Sequence, residues 1–297
     1  MPENCTVLHV VLTFFALIMA FVTLWVKRSP WIWGSFLAIA GLLAYLSQIL
    51  FPLGLIPIGA LLLCHSLIDG FQKFTRFLIF LIATSVSIGL WFHLWPGFHN
   101  YLVYDKVSLS AASHPYTLYL NFDKPFVGFF VLAFSLPLLS SFKQMFKVAI
   151  PLSILGMIVI GLLAVFGNLV AWDPKFPSSF WLFALDNLFL VAIPEEAFLR
   201  GFVQNEVFRW FGGNGKWAGF AAVFLTAILF AALHIKWVAS WPFLGLIFVA
   251  GLVYGAIYQI TRSIEASMLC HFLVNIVHFT LFTYPLSLSV QLFACGS

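Results

Sequence analysis

Phe180-Trp-Leu-Phe-Ala-Leu-Asp186-Asn187-Leu-Phe-Leu-Val-Ala-Ile-Pro194-Glu195-Glu196-Ala-Phe-Leu-Arg200 is an apolar run broken by two adjacent carboxylates. Stripped of its charges, the stretch reads as a membrane helix. The acids turn it into a site, because an ionisable residue inside the membrane is costly and marks function by default. Two neighbouring like charges raise that cost unless a cation meets them or one stays protonated.

The rest of the chain supports a membrane setting. Of its 297 residues, 63% are hydrophobic and only 8% charged, and the mean hydropathy is +1.05. A soluble domain carries about 25% charged residues. The 36 Phe and 11 Trp suit contact with lipid and its interfaces. The fold class expected is all-α: a polytopic transmembrane helical bundle of about 8–10 spans. Candidate spans run over 5–26, 30–50, 52–70, 77–96, 126–142, 148–171, 179–205, 217–236, 241–260 and 264–284. The third is rich in Gly and Pro and reads equally as re-entrant. With ten spans and the N-terminus outside, ten Lys and Arg lie on the inner side and four on the outer (Lys106, Lys124, Lys175 and Lys236), as the positive-inside rule requires. The first segment lacks a basic leader and a small-residue cleavage site, so it reads as a retained span.

The formal charge of +4 comes from scattered basic residues, which excludes a nucleic-acid face. Cys5, Cys64, Cys270 and Cys295 show no metal or redox spacing. Residues 98–125 form the one long polar segment, with Asp105, Lys106, His114, Asp123 and Lys124. It reads as an outside loop, either a lid or a plain connector.

Polar residues within spans concentrate in the last third. Glu196 and Arg200 are four apart, so on an α-helix they share a face and can pair. Glu195 points about 100° away and has no cation on its own helix. A buried carboxylate with no cation nearby titrates closer to neutral pH, which suits a general base or acid. Pro194 permits a kink beside the pair. His234 closes Phe230-Ala-Ala-Leu-His234, and His271 and Asn275 are four apart on the last span. A carboxylate base, two histidines and an amide on three helices can hydrolyse an amide bond: Glu195 takes a proton from water, and His234, His271 or Asn275 stabilises the oxyanion. Gly251-Leu-Val-Tyr-Gly255 reads as a helix-packing face. Asp186 and the lone histidines His9, His65, His93 and His278 read as packing or interfacial residues. A transporter using Glu195, Glu196 and Arg200 as an ion relay is the rival reading.

The ordered set E-E-x-x-x-R, F-x-x-x-H and H-x-x-x-N, carried by Glu195, Glu196 and Arg200, then Phe230 and His234, then His271 and Asn275, resembles the CPBP family of CAAX proteases and bacteriocin-processing enzymes, also called Abi. That family includes the type II CAAX prenyl endopeptidases. The resemblance covers about residues 176–285 and implies an intramembrane endopeptidase acting on a membrane-associated peptide or protein, CAAX-like or a bacteriocin precursor. It maps Glu195 to the water-activating residue, His234, His271 and Asn275 to the site lining, and Glu196, Arg200 and Phe230 to the supporting residues. It also allows an idle relative serving in bacteriocin immunity or partner regulation. Residues 1–175 are expected to form N-terminal transmembrane helices, 176–285 the catalytic core, and 286–297 a tail. The expected setting is the lipid bilayer of a bacterial inner membrane. No cofactor is expected; zinc held by Glu195, His234, His271 and Asn275 is the alternative. The chain lacks H-E-x-x-H, and two His with one Asn make a poor zinc set unless Glu195 joins them.

Overall fold

The structure is a computed structural model describing residues 3–139, 145–238 and 240–284. The expected tail at 286–297 lies outside the described residues. Among the described residues, ten helices carry the fold: α1 (Glu3–Val26), α2 (Pro30–Leu46), α3 (Leu55–Leu67), α4 (Lys73–Trp91), α5 (Phe126–Phe134), α6 (Ile150–Phe166), α7 (the helical run 180–210), α8 (Gly215–Leu233), α9 (Trp241–Thr261) and α10 (Ile264–Leu281). Among the described residues, seven helical segments are long and apolar enough to cross a membrane, including Pro52–Gly70, which is helical throughout. Their outward residues, such as Leu63, Leu81, Leu155 and Leu162, are large, apolar and exposed, as a lipid-facing surface requires.

The expected span 126–142 is corrected. Its helix ends at Phe134, and Leu136–Leu139 are not helical. Pro137 disfavours helical geometry in the residue before it. The polar segment is also more structured than a connector: Tyr101–Val107 pairs with Tyr116–Leu120 in a two-stranded sheet.

The chain divides into two compact units. The first comprises 1–101, 119–140 and 189–198. Its centre is α5, buried at every residue from Phe126 to Ala133. Helices α1, α3 and α4 and the segment Ile193–Glu196 pack around it. Phe129 meets Phe21 and Trp33 edge-on, with centroids 4.9 and 5.6 Å away. A helix this short and this apolar must satisfy its last carbonyls locally. Arg28 does so: its Nε donates to the Ala133 oxygen at 3.1 Å and its Nη2 to Leu132.

The second unit comprises 102–118, 141–188 and 199–297. Helix α10 packs on α6 and α9, and α8 packs on α9. Ser153 on α6 donates to the Ala266 carbonyl on α10 at 2.8 Å. Phe183 and Phe279 stack 3.9 Å apart beneath Tyr116 and Tyr284. Asp173 ties this region together by accepting from Ser110, Ser113 and Lys175.

Candidate active site

Helix α7 carries the acidic pair, and its backbone is irregular there. Asn187–Ala192 and Ala197–Gln204 are π-helical, flanking the α-helical turn Ile193–Glu196. Pro194 has no N–H for the Leu190 carbonyl, and its ring crowds that oxygen, so a wider turn upstream relieves both. Short π segments occur often at functional sites. The α-helical spacing used to pair Glu196 with Arg200 is corrected accordingly, because the turn joining them bonds i to i+5 and shifts the angle between side chains.

Within the first unit, Glu195 and Glu196 are both buried, 1% and 0% exposed. The expectation that Glu195 lacks a cation is overturned. Lys124 Nζ lies 2.5 Å from Glu195 Oε1, and the same ammonium sits 4.7 Å from the Trp91 ring centroid. Spacing along α7 could not reveal a partner supplied from about 70 residues upstream. Next to Lys124, Asp123 accepts from Asn100 Nδ2 at 3.0 Å and from Lys124 N at 2.9 Å, and its other oxygen lies 2.7 Å from His93 Nδ1. His93 is therefore a hydrogen-bonded partner of Asp123, in keeping with an interfacial residue. Gly128 on α5 lies directly against the Pro194 backbone.

Within the second unit, Phe230 gathers the other groups. The Arg200 guanidinium lies 4.8 Å from its centroid, the His234 ring 4.5 Å and the His271 ring 5.9 Å. Tyr254 stacks on His271 at 4.9 Å, nearly parallel at 17°, and Arg200 lies 5.3 Å from the Tyr254 ring. His234 caps α8, with Nδ1 2.7 Å from the Phe230 carbonyl oxygen. A carbonyl only accepts, so Nδ1 carries the proton and a neutral His234 has its lone pair on Nε2. Asn275 Nδ2 donates to Asn187 Oδ1 at 3.3 Å.

The packing face on α9 does more than bring helices close. Arg200 donates to the Gly251 carbonyl and Gln204 to the Gly255 carbonyl, each at 3.1 Å. A Cβ on Gly255 would stand 3.0 Å from Gln204 Oε1. Absence of side chains at these two positions lets polar groups reach the α9 backbone. Lys124, Asn187, Gln204 and Tyr254 were missed as site residues. Only Asn187, beside Asp186 in an apolar run, and Tyr254, inside the glycine pattern, left any sequence signal.

Zinc takes four ligands, mostly His, Cys and carboxylate. Among the described residues, no three His, Cys, Asp or Glu side chains are grouped to hold a metal. The donor set does not fit the ion, and no step below passes through one.

Fold and composition together define an integral, multi-pass α-helical membrane protein. Within it, residues 177–277 match the Rce1-like family model, described as type II CAAX prenyl endopeptidase Rce1-like. No curated protein and no solved structure matches the chain.

Proposed function

We propose that the protein is an intramembrane endopeptidase that hydrolyses a peptide bond near the membrane-associated end of a CAAX-like substrate. One observation carries the reading. All seven residues of the ordered motif set, from Glu195 to Asn275, fall inside the stretch 177–277 that matches a protease family model.

In this reading Glu195 takes a proton from water as the oxygen attacks the scissile carbonyl. His271 and Asn275, together with His234 in its doubly protonated form, donate to the oxyanion that develops, and Glu195 returns the proton to the leaving amine. Phe230 and Tyr254 hold His271 between rings, which fixes its donor direction. Arg200, anchored on Gly251, backs those rings. The bond broken is the amide, and the products are a shortened, membrane-bound chain and a free peptide.

The test is cleavage of a lipidated C-terminal peptide by the purified protein in detergent. Wild type should release the terminal fragment. His234→Ala and His271→Ala should each lower kcat by about 10²-fold, the scale of a lost oxyanion donor. Cleavage should persist after treatment with a metal chelator. Loss of activity on chelation with recovery on adding zinc would overturn the metal-free step. No cleavage of any lipidated peptide, together with ion flux through reconstituted protein, would favour a transporter.

A further inference from the structure

We propose that Lys124 is a positioning residue of this site, holding the Glu195 carboxylate aimed at the water it activates. The inference rests on the reading of Glu195 as the base. It concerns a residue outside the stretch 177–277, about 50 residues before its start.

The geometry separates this ion pair from a surface one. Glu195 is 1% exposed and Lys124 14%. Taking both charges out of water is costly, and such a pair persists only with good geometry and further support. The support is visible. Trp91, itself 1% exposed, offers its ring to the ammonium at 4.7 Å. The backbone at Lys124 is fixed by Asp123, whose two oxygens are held by Asn100, His93 and the Lys124 amide. Asn100 Oδ1 also accepts from the Phe122 amide at 3.0 Å. Directly after Lys124, Pro125 is the N-cap of the buried helix α5, and Gly128 seats that helix on Pro194. The residue that contacts Glu195 and the helix that contacts the preceding residue are therefore parts of one continuous segment. An arm that merely neutralised charge would need neither the bracket nor the helix.

A carboxylate with an oxygen fixed by an ammonium cannot swing about its side-chain torsions. Its orientation toward water is then set before substrate arrives, which is the condition for efficient proton transfer. Lys124 thus acts through Glu195 and not on the substrate.

The experiment is a set of variants of the full chain, purified in detergent, with kcat, KM and thermal midpoint measured on a lipidated peptide. Lys124→Met should lower kcat by about 30-fold or more while KM stays within about twofold, because the loss falls on transition-state positioning. Lys124→Arg should recover most of kcat. In a Glu195→Asp background, whose carboxylate is drawn back from Lys124, Lys124→Met should cost less than in wild type, since residues acting as one unit are not additive. If Lys124→Met does not fold, Lys124→Gln carries the same comparison. Wild-type kcat in the neutral variant beside an inactive Glu195→Gln overturns this inference alone. An equal cost of the neutral variant in both backgrounds also overturns it. A fully active Glu195→Gln would overturn the base assignment and this inference with it.

Discussion

Gly128→Ala adds one methyl group where the helix that follows Lys124 meets the turn that precedes Glu195. A Cβ there would stand 2.3 Å from the Pro194 carbonyl oxygen, 2.6 Å from the Pro194 Cα and 2.8 Å from the Ala197 Cβ. Real Cβ atoms essentially never come closer than 3.0 Å to such neighbours, so 2.3 Å must open by about 0.7 Å. The two nearest atoms are backbone, and no rotamer change relieves them. Overpacking of this kind costs about 1–3 kcal/mol, and the backbone contact puts Gly128→Ala toward the upper end. The displacement reaches the residue beside the proposed base, where a shift of about 1 Å can cost about 10²-fold in rate. The assay pairs thermal unfolding in detergent with peptide cleavage. Gly161→Ala on α6 is the control, since a Cβ there meets nothing within 4 Å; it should be neutral or slightly stabilising. A Gly128→Ala protein with the wild-type melting point and kcat would refute the close approach of α5 to Pro194.

Arg200→Lys should destabilise by about 2 kcal/mol, because lysine keeps the charge but loses the planar stacking on Phe230 and Tyr254 and the reach to Gly251; denaturation in mixed micelles measures it, and wild-type stability would contradict the assigned contacts. At Asp173, outside the spans, burial works to raise the carboxyl's pKa, but hydrogen bonds from Ser110, Lys175 and Ser113 and the charge of Lys175 outweigh it and hold the group below its ordinary value of 3.8. A folded pKa below the unfolded one means stability present above about pH 4 and lost as pH falls through the folded value. Acid titration of the melting point should show that loss in wild type and not in Asp173→Asn; identical curves would remove the clasp from the account.

Nine of the ten spans read from hydropathy correspond to helices, because length and apolarity alone decide whether a segment can lie in lipid. The tenth failed at Pro137, where one backbone restriction outweighed an apolar composition. The Gly251 and Gly255 spacing showed a close helix contact, but not that Arg200 and Gln204 use it to reach carbonyls. The π turns around Pro194 were not legible, since periodicity arguments assume α geometry from the outset. Lys124 was hidden for a different reason. Its partner lies on another element of the same unit, and no local pattern encodes a contact between residues so far apart in sequence. The hairpin that precedes it was read as a loop because its polar residues mask the short alternation in Tyr116–Leu120, buried and exposed by turns.

The central claim is that Glu195 activates the water that cleaves the peptide. Glu195→Gln keeps the size and a hydrogen-bonding oxygen for Lys124 but removes the base. The direct measurement is single-turnover cleavage of a lipidated peptide by the purified variant, beside a thermal melt showing that it is folded. The account predicts a folded protein whose cleavage rate falls by about 10²-fold or more, the scale of general base catalysis. Cleavage at the wild-type rate by the folded variant would contradict it.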